Sequence, residues 1–176
     1  AARELAEAAV AGPGTDDAWS LPYALAALAR VLMWAGEPGR AAGALDRAER
    51  SVGTGRDRQA RFEVRTARAE LALFEERPER VAELLPEGEA PVLTAWAHLL
   101  AGRRESARSV AAAEVARARG TGERIAEVDA GVVHAVALGG AAGVRALGAV
   151  EALARSLPYP AGLGRIVAAR GIPGTG

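Results

Sequence analysis

The fold is decided by a short turn at residues 36–42, which reads GEPGRAA between two alanine-rich helical segments. The turn returns at residues 76–82 as ERPERVA and at residues 102–107 as GRRESA. Gly and Pro end one helix here, and the arginine-containing segment after them starts the next. A helix-turn-helix unit repeated roughly every 34 to 45 residues is typical of an α-solenoid. We therefore predict an all-α fold, a right-handed α-solenoid of antiparallel helix pairs with about nine to ten helices.

The apolar spacing between these turns divides the chain into units. Leu21, Leu25, Leu28 and Leu32 recur at helical spacing and end at Gly36. After a first helix at about 1–11, the units are predicted at about 21–53, 57–86, 89–119 and 122–156, with an incomplete unit at 158–170 and a loose tail at 171–176. Together they are expected to form a single TPR-like helical-repeat domain, 1–176. Because the array stops on half a unit, we expect the chain to be a piece of a longer protein.

Composition excludes several classes of protein. Half of the 176 residues are hydrophobic, so the chain is long and apolar enough to form a core. It contains no cysteine, which excludes disulfides, thiol catalysis and the usual structural zinc sites. Its 22 arginines balance 22 acids, a poor composition for collecting phosphates, and no apolar stretch approaches membrane-spanning length. We expect a cytoplasmic protein from a bacterium with a high-GC genome, without direct nucleic-acid or membrane binding.

Candidate catalytic and metal-binding residues are few, and each is expected to be structural. His98 and His134 lack a second ligand at metal-binding spacing. Three carboxylate groupings occur, Asp16–Asp17, Glu75–Glu76 and Glu127 with Asp129; the first is interpreted as a helix start and the second as a solvated turn. The glycine-rich turns lack the lysine of a phosphate-binding loop. We therefore expect no enzyme activity, no catalytic residue, no metal and no cofactor.

The aromatic residues suggest a binding surface. If Ala29, Ala69 and Ala95 are equivalent points of successive units, a shared position five residues later holds Trp34, Phe74 and Leu100. Other positions that would line the concave face hold Tyr23, Arg30 and Trp96. A groove lined in this way would bind an amphipathic helix or an extended peptide through apolar anchors. Plain packing of the same rings between adjacent helices is the alternative.

The arginines of the second half offer a further alternative. A basic strip could be formed by Arg103, Arg104, Arg108, Arg117, Arg119 and Arg124. Glutamates alternate with them along the chain, and this alternation favours an ordinary solvated face.

Two stretches carry a resemblance to known proteins. Residues 21–53 are similar to a tetratricopeptide (TPR) unit. Residues 21–29, LPYALAALA, followed by Gly36, Ala41, Ala42 and Ala48, resemble the C-terminal helical repeats of large ATP-binding transcriptional regulators of the LuxR type, the MalT-like group. Residues 154–160, ARSLPYP, leading into GLGR at 162–165, are similar to repeat starts in the same proteins.

The resemblance implies a sensor or scaffold region, which in that family lies between an NTPase module and a DNA-binding helix-turn-helix. Neither of those modules has its motif in this sequence, and no family catalytic residue is transferred. The expected function is a non-enzymatic domain of a transcriptional regulator that binds a protein or peptide segment, or a small inducer. The alternative is a structural oligomerisation module of a larger signalling protein, which would form a homo-oligomer.

Overall fold

The structure is a computed structural model that describes residues 2–11, 19–52 and 57–172. All regular elements in these ranges are α-helices, so the predicted all-α class is confirmed. The ten helices are α1 (Ala2–Ala11), α2 (Leu21–Trp34), α3 (Pro38–Val52), α4 (Arg58–Phe74), α5 (Glu79–Leu84), α6 (Pro91–Leu100), α7 (Arg104–Thr121), α8 (Arg124–Leu138), α9 (Gly140–Arg155) and α10 (Pro160–Arg170).

All ten helices begin and end within two residues of the predicted positions, and α5 is the shortest of them. The sequence predicts this helix over 78–86, whereas the structure ends it at Leu84. Leu85 has an extended backbone, with φ −118° and ψ 121°. A residue that precedes proline is forced out of the helical region by the proline ring, and residue 86 is Pro86. The result is a helix of fewer than two turns.

The recurring turn has one backbone geometry in its three copies. Gly36, Glu76 and Gly102 each have a positive φ, between 56° and 76°. The residue after each of them donates its N–H to a carbonyl five residues earlier, as in the Glu37 to Leu32 bond of 2.9 Å. This Schellman motif satisfies the last carbonyls of the first helix and reverses the chain. It thereby joins α2 to α3, α4 to α5 and α6 to α7.

The chain divides into two compact units, Ala1–Glu87 and Gly88–Gly176. In the first unit α2 packs against α1, α3 and α4. Small residues allow this close packing, because Ala29, Ala41 and Ala48 are completely buried. Leu25, Leu32 and Leu45 fill the remaining core.

The second unit is built around α8, which packs against α6, α7, α9 and α10. Its sequence is apolar on nearly every side, as expected of a central helix. Two glycines permit the close crossing of α8 and α9. A Cβ at Gly131 would lie 2.6 Å from a methyl of Val150, and a Cβ at Gly143 would lie 2.6 Å from the carbonyl oxygen of Ala135.

The boundary between the units falls between the second and third predicted repeats. The single domain over 1–176 and the right-handed solenoid arrangement stay predictions.

Candidate functional site

Two of the five predicted binding residues, Tyr23 and Arg30, join α2 to α4. The Tyr23 hydroxyl donates to the Asp57 carboxylate, with oxygen–oxygen distances of 3.2 and 3.3 Å. Asp57 also caps α4 by accepting the N–H of Ala60 at 3.0 Å. Burial and this hydrogen bond raise the pKa of Tyr23.

Arg30 forms the second junction. Its Nε donates to both carboxylate oxygens of Glu70, at 2.9 and 3.1 Å, and its Nη1 lies 3.4 Å from Glu63. Arg30 follows Tyr23 along α2, and its partner Glu70 follows Asp57, the partner of Tyr23, in the same direction along α4. We infer that α2 and α4 run parallel, as the first helices of successive repeat units should.

This parallel register brings Trp34 and Phe74 to the same end of the first unit, because they are the last residues of α2 and α4. Their side chains are largely exposed, with 73% of Trp34 and 49% of Phe74 accessible to solvent. Leu100 ends α6 in the second unit and is also 49% exposed. The position shared by the three helix ends is therefore apolar and open.

Trp96 has different surroundings. It is half-buried and packs in the second unit beside Ala95, Ala111 and Val133. The ring thus contributes to the packing of α6 against α7 and α8. Its place on a binding surface with the other four residues stays a prediction, because those four lie in the first unit.

Sequence reasoning missed Trp19. This ring is 67% exposed, and its centroid lies 5.8 Å from that of Tyr23, at an interplanar angle of 48°. It enlarges the aromatic surface at the start of α2. Trp19 lies before α2 and outside the aligned repeat, so the repeat pattern does not include it.

The histidines and paired acids take structural positions. Nδ1 of His98 accepts a hydrogen bond from Nε of Arg103 at 2.9 Å. Burial, with the nearby charges of Arg103 and Arg108, lowers the pKa of His98 and of His134 respectively. Among the described residues there is no group of three or more His, Asp or Glu that could hold a metal ion.

The carboxylate groupings do not form acid–base pairs. Glu127 binds Arg119, whereas Asp129 accepts the hydroxyl of Tyr159 at 2.9 Å. Glu75 pairs with Arg77 in the turn after α4. The pair Asp16–Asp17 lies outside the described residues.

The arginines of the predicted basic strip are mostly engaged by acids of their own unit. Arg108 pairs with Glu105, and Arg117 binds Glu114 and Glu123. Arg104 instead donates to the carbonyl of Val136 at 3.0 Å, in the last turn of α8. Such pairing is typical of a solvated face.

No protein-family model, no curated protein and no solved structure matches this chain. None of the helices in the described ranges is both long enough and apolar enough to cross a membrane.

Proposed function

We propose that this protein is a non-enzymatic, TPR-like binding domain, and that its first unit binds a peptide or protein segment along α2 and α4, with Trp34 and Phe74 at one end and Tyr23 at the other. The observation that supports it is the exposure of Trp34 and Phe74 at equivalent ends of two parallel, adjacent helices. Large apolar side chains exposed together are typical of interaction surfaces. Tryptophan is also enriched among residues that dominate binding energy.

The charged groups beside the aromatics favour a peptide over a purely apolar ligand. Arg30, Glu63 and Glu70 are about one-third exposed and offer donors and acceptors along the line between α2 and α4. A peptide would place apolar anchors on the rings and pair its polar groups with this line. The sequence resembles the sensor or scaffold region of a LuxR-type transcriptional regulator, and in such a protein this region would bind the peptide. A small inducer is a further candidate ligand for the same surface.

A peptide library tests the proposal without knowledge of the natural partner. Twelve-residue peptides displayed on phage are selected on the wild-type chain after depletion on the double variant Trp34→Ala/Phe74→Ala. One enriched peptide is synthesised with a fluorophore, and its Kd is measured by anisotropy. We expect each single variant to weaken binding by about 2 kcal/mol, roughly 30-fold, because both are central apolar anchors.

Leu5→Ala is the matched control, since Leu5 is an exposed apolar residue of α1 in the same unit. It should leave the Kd unchanged. The proposal is wrong if no enriched peptide depends on Trp34 or Phe74, or if Leu5→Ala weakens binding equally.

The alternative, an oligomerisation module, is favoured by one observation. Val167 on α10 is 67% exposed. A second copy would cover it. Light scattering between 10 and 500 μM or so tests this: a dimer that forms with concentration and is lost in Val167→Glu supports the alternative, whereas a monomer throughout contradicts it.

A further inference from the structure

A cavity of about 340 Å³ lies in the second unit between α7, α8 and α9. We call it the α8 cavity. It has a charged end, formed by Arg119, Arg124 and Glu127, and an apolar wall that includes Ala149, Val150 and Leu153. Its volume is at the lower end of those of small-molecule sites.

Glu127 is the buried centre of the charged end. Only 6% of this residue is accessible, and it lies on α8 between the buried residues of that helix. Oε1 accepts a hydrogen bond from Nε of Arg119 at 3.0 Å, while Nη1 of Arg124 lies 3.3 Å from Oε2. Oε2 accepts no hydrogen bond. A buried carboxylate is stable only when it is paired with cations, and this pairing also keeps both guanidinium groups at the cavity.

Arg119, Arg124 and Glu127 together carry one positive charge, and Arg117 with Glu114 and Glu123 carries one negative charge beside them. Arg117 engages the two neighbouring acids, Glu114 and Glu123, through four hydrogen bonds. Glu127 is therefore shared by Arg119 and Arg124, each of which has further N–H donors without a partner in the described part of the chain. Planar guanidinium donors match the geometry of a carboxylate.

The rest of the cavity has no acidic side chain and no further arginine, and apart from His134 and Ser156 its lining is apolar. Gly131 has no side chain, and the methyls of Val150 approach it closely. Burial and the charge of Arg108 lower the pKa of His134, which also lines the cavity. This wall suits a compact apolar body of about ten non-hydrogen atoms.

A cavity of equal volume in the first unit provides the contrast. Arg68 lines that cavity and is bound on both sides, by Asp46 at 2.6 Å and by Glu49 at 3.0 Å. Its guanidinium already has two carboxylates. In the α8 cavity, by contrast, two guanidinium groups share a single carboxylate.

We propose that the α8 cavity binds a small organic monocarboxylate. The carboxylate lies between Arg119 and Arg124 and accepts their remaining N–H donors, and the apolar body packs on Gly131, Ala149 and Val150. This site lies in the second unit and goes beyond the peptide surface proposed for the first.

Saturation-transfer NMR on the whole chain tests the proposal with two probe pairs: phenylacetate with phenylacetamide, and hexanoate with hexanamide. Each amide keeps the apolar body and removes the charge. We expect the carboxylates to bind with a Kd of about 1 mM or tighter, and the amides to bind at least about tenfold more weakly.

Three variants locate the site. Arg119→Gln and Arg124→Gln should each weaken phenylacetate binding about tenfold, and Ala149→Phe should abolish it by filling the cavity. Arg155→Gln is the matched control, because Arg155 is a similarly exposed arginine of α9 that pairs with Glu151 and does not line the cavity. It should bind as the wild type does. The proposal is overturned if neither carboxylate binds, if the amides bind equally well, or if Arg155→Gln is as damaging as the two cavity variants.

Discussion

At the scale of single residues, Glu76 is the departure from the repeat. It adopts φ +56° at the turn position where the other copies have Gly36 and Gly102. A left-handed conformation costs a residue with a Cβ about 1–2 kcal/mol, and glycine adopts it freely. The backbone of the turn is nevertheless conserved among the three copies, because its hydrogen bonds compensate for that strain.

Glu76→Gly should therefore stabilise the chain. We expect a gain of about 0.5–1 kcal/mol in the free energy of unfolding, since relief of strain exceeds the added entropy of the unfolded chain. Urea denaturation followed by circular dichroism measures it. Gly36→Ala and Gly102→Ala are the matched controls and should cost about 1 kcal/mol each, because a Cβ meets no atom there within 4 Å and only backbone strain acts. A less stable Glu76→Gly would contradict this reasoning.

Tyr159 should ionise unusually late. Burial and the adjacent Asp129 carboxylate raise its pKa to about 12, although Arg165 opposes the shift. The unfolded pKa of tyrosine is about 10, so the folded state keeps a proton that the unfolded state loses. The stabilisation is complete below pH 10 and is lost as the pH rises towards 12. Absorbance titration at 295 nm or so should show a late phase that Tyr159→Phe removes and Tyr23→Phe leaves in place.

At the scale of elements, the close crossing of α8 and α9 depends on glycine, which has no side chain. Gly143 faces the Ala135 carbonyl oxygen, whereas Gly148 in the same helix faces open space. Helix propensity treats the two alike, because each glycine weakens a helix interior by up to about 1 kcal/mol. The structure separates them, because only Gly143 is required for close approach.

Gly143→Ala and Gly148→Ala should consequently change stability in opposite directions. We expect Gly148→Ala to stabilise by about 0.5–1 kcal/mol through helix propensity. Gly143→Ala should destabilise by about 1–3 kcal/mol, because the rigid carbonyl cannot yield and the helices must separate. Thermal unfolding of the two variants and of the wild type measures these changes in stability. A stabilising Gly143→Ala would refute the close crossing.

Periodicity and the Gly and Pro positions predict where all ten described helices begin and end to within two residues. The predicted α5 extends two residues too far, because the pattern through Leu84 and Leu85 is helical whereas Pro86 forces Leu85 into an extended conformation.

At the scale of the molecule, each unit has a core of its own. Leu45 is completely buried among residues that all lie in the first unit. Leu45→Ala leaves a cavity there and should cost about 2–5 kcal/mol. Hydrogen exchange with mass spectrometry should show faster exchange within residues 2–87 and an unchanged rate in 88–172. Faster exchange throughout would instead indicate the single cooperative domain that the sequence predicts.

Repeat alignment predicts the positions of some residues of the candidate site and does not predict their burial. It placed Trp34, Phe74 and Leu100 at one position of their units, and they are indeed the exposed last residues of three helices. Alignment cannot tell an exposed ring from a buried one, and Trp96 is half-buried in the second unit. The sequence signal for the α8 cavity was weak: Glu127 is one of two acids, with Asp129, on a helix rich in valine.

The sequence by itself determined the all-α class, the turn that joins successive helices and the bounds of nearly every helix. These follow from local causes, namely apolar spacing along one helix face and the backbone preferences of Gly and Pro. Tertiary structure alone decided which glycine is indispensable, which ring reaches solvent and which arginines share one buried carboxylate. Those outcomes depend on residues brought together from different helices, and no local pattern records that approach.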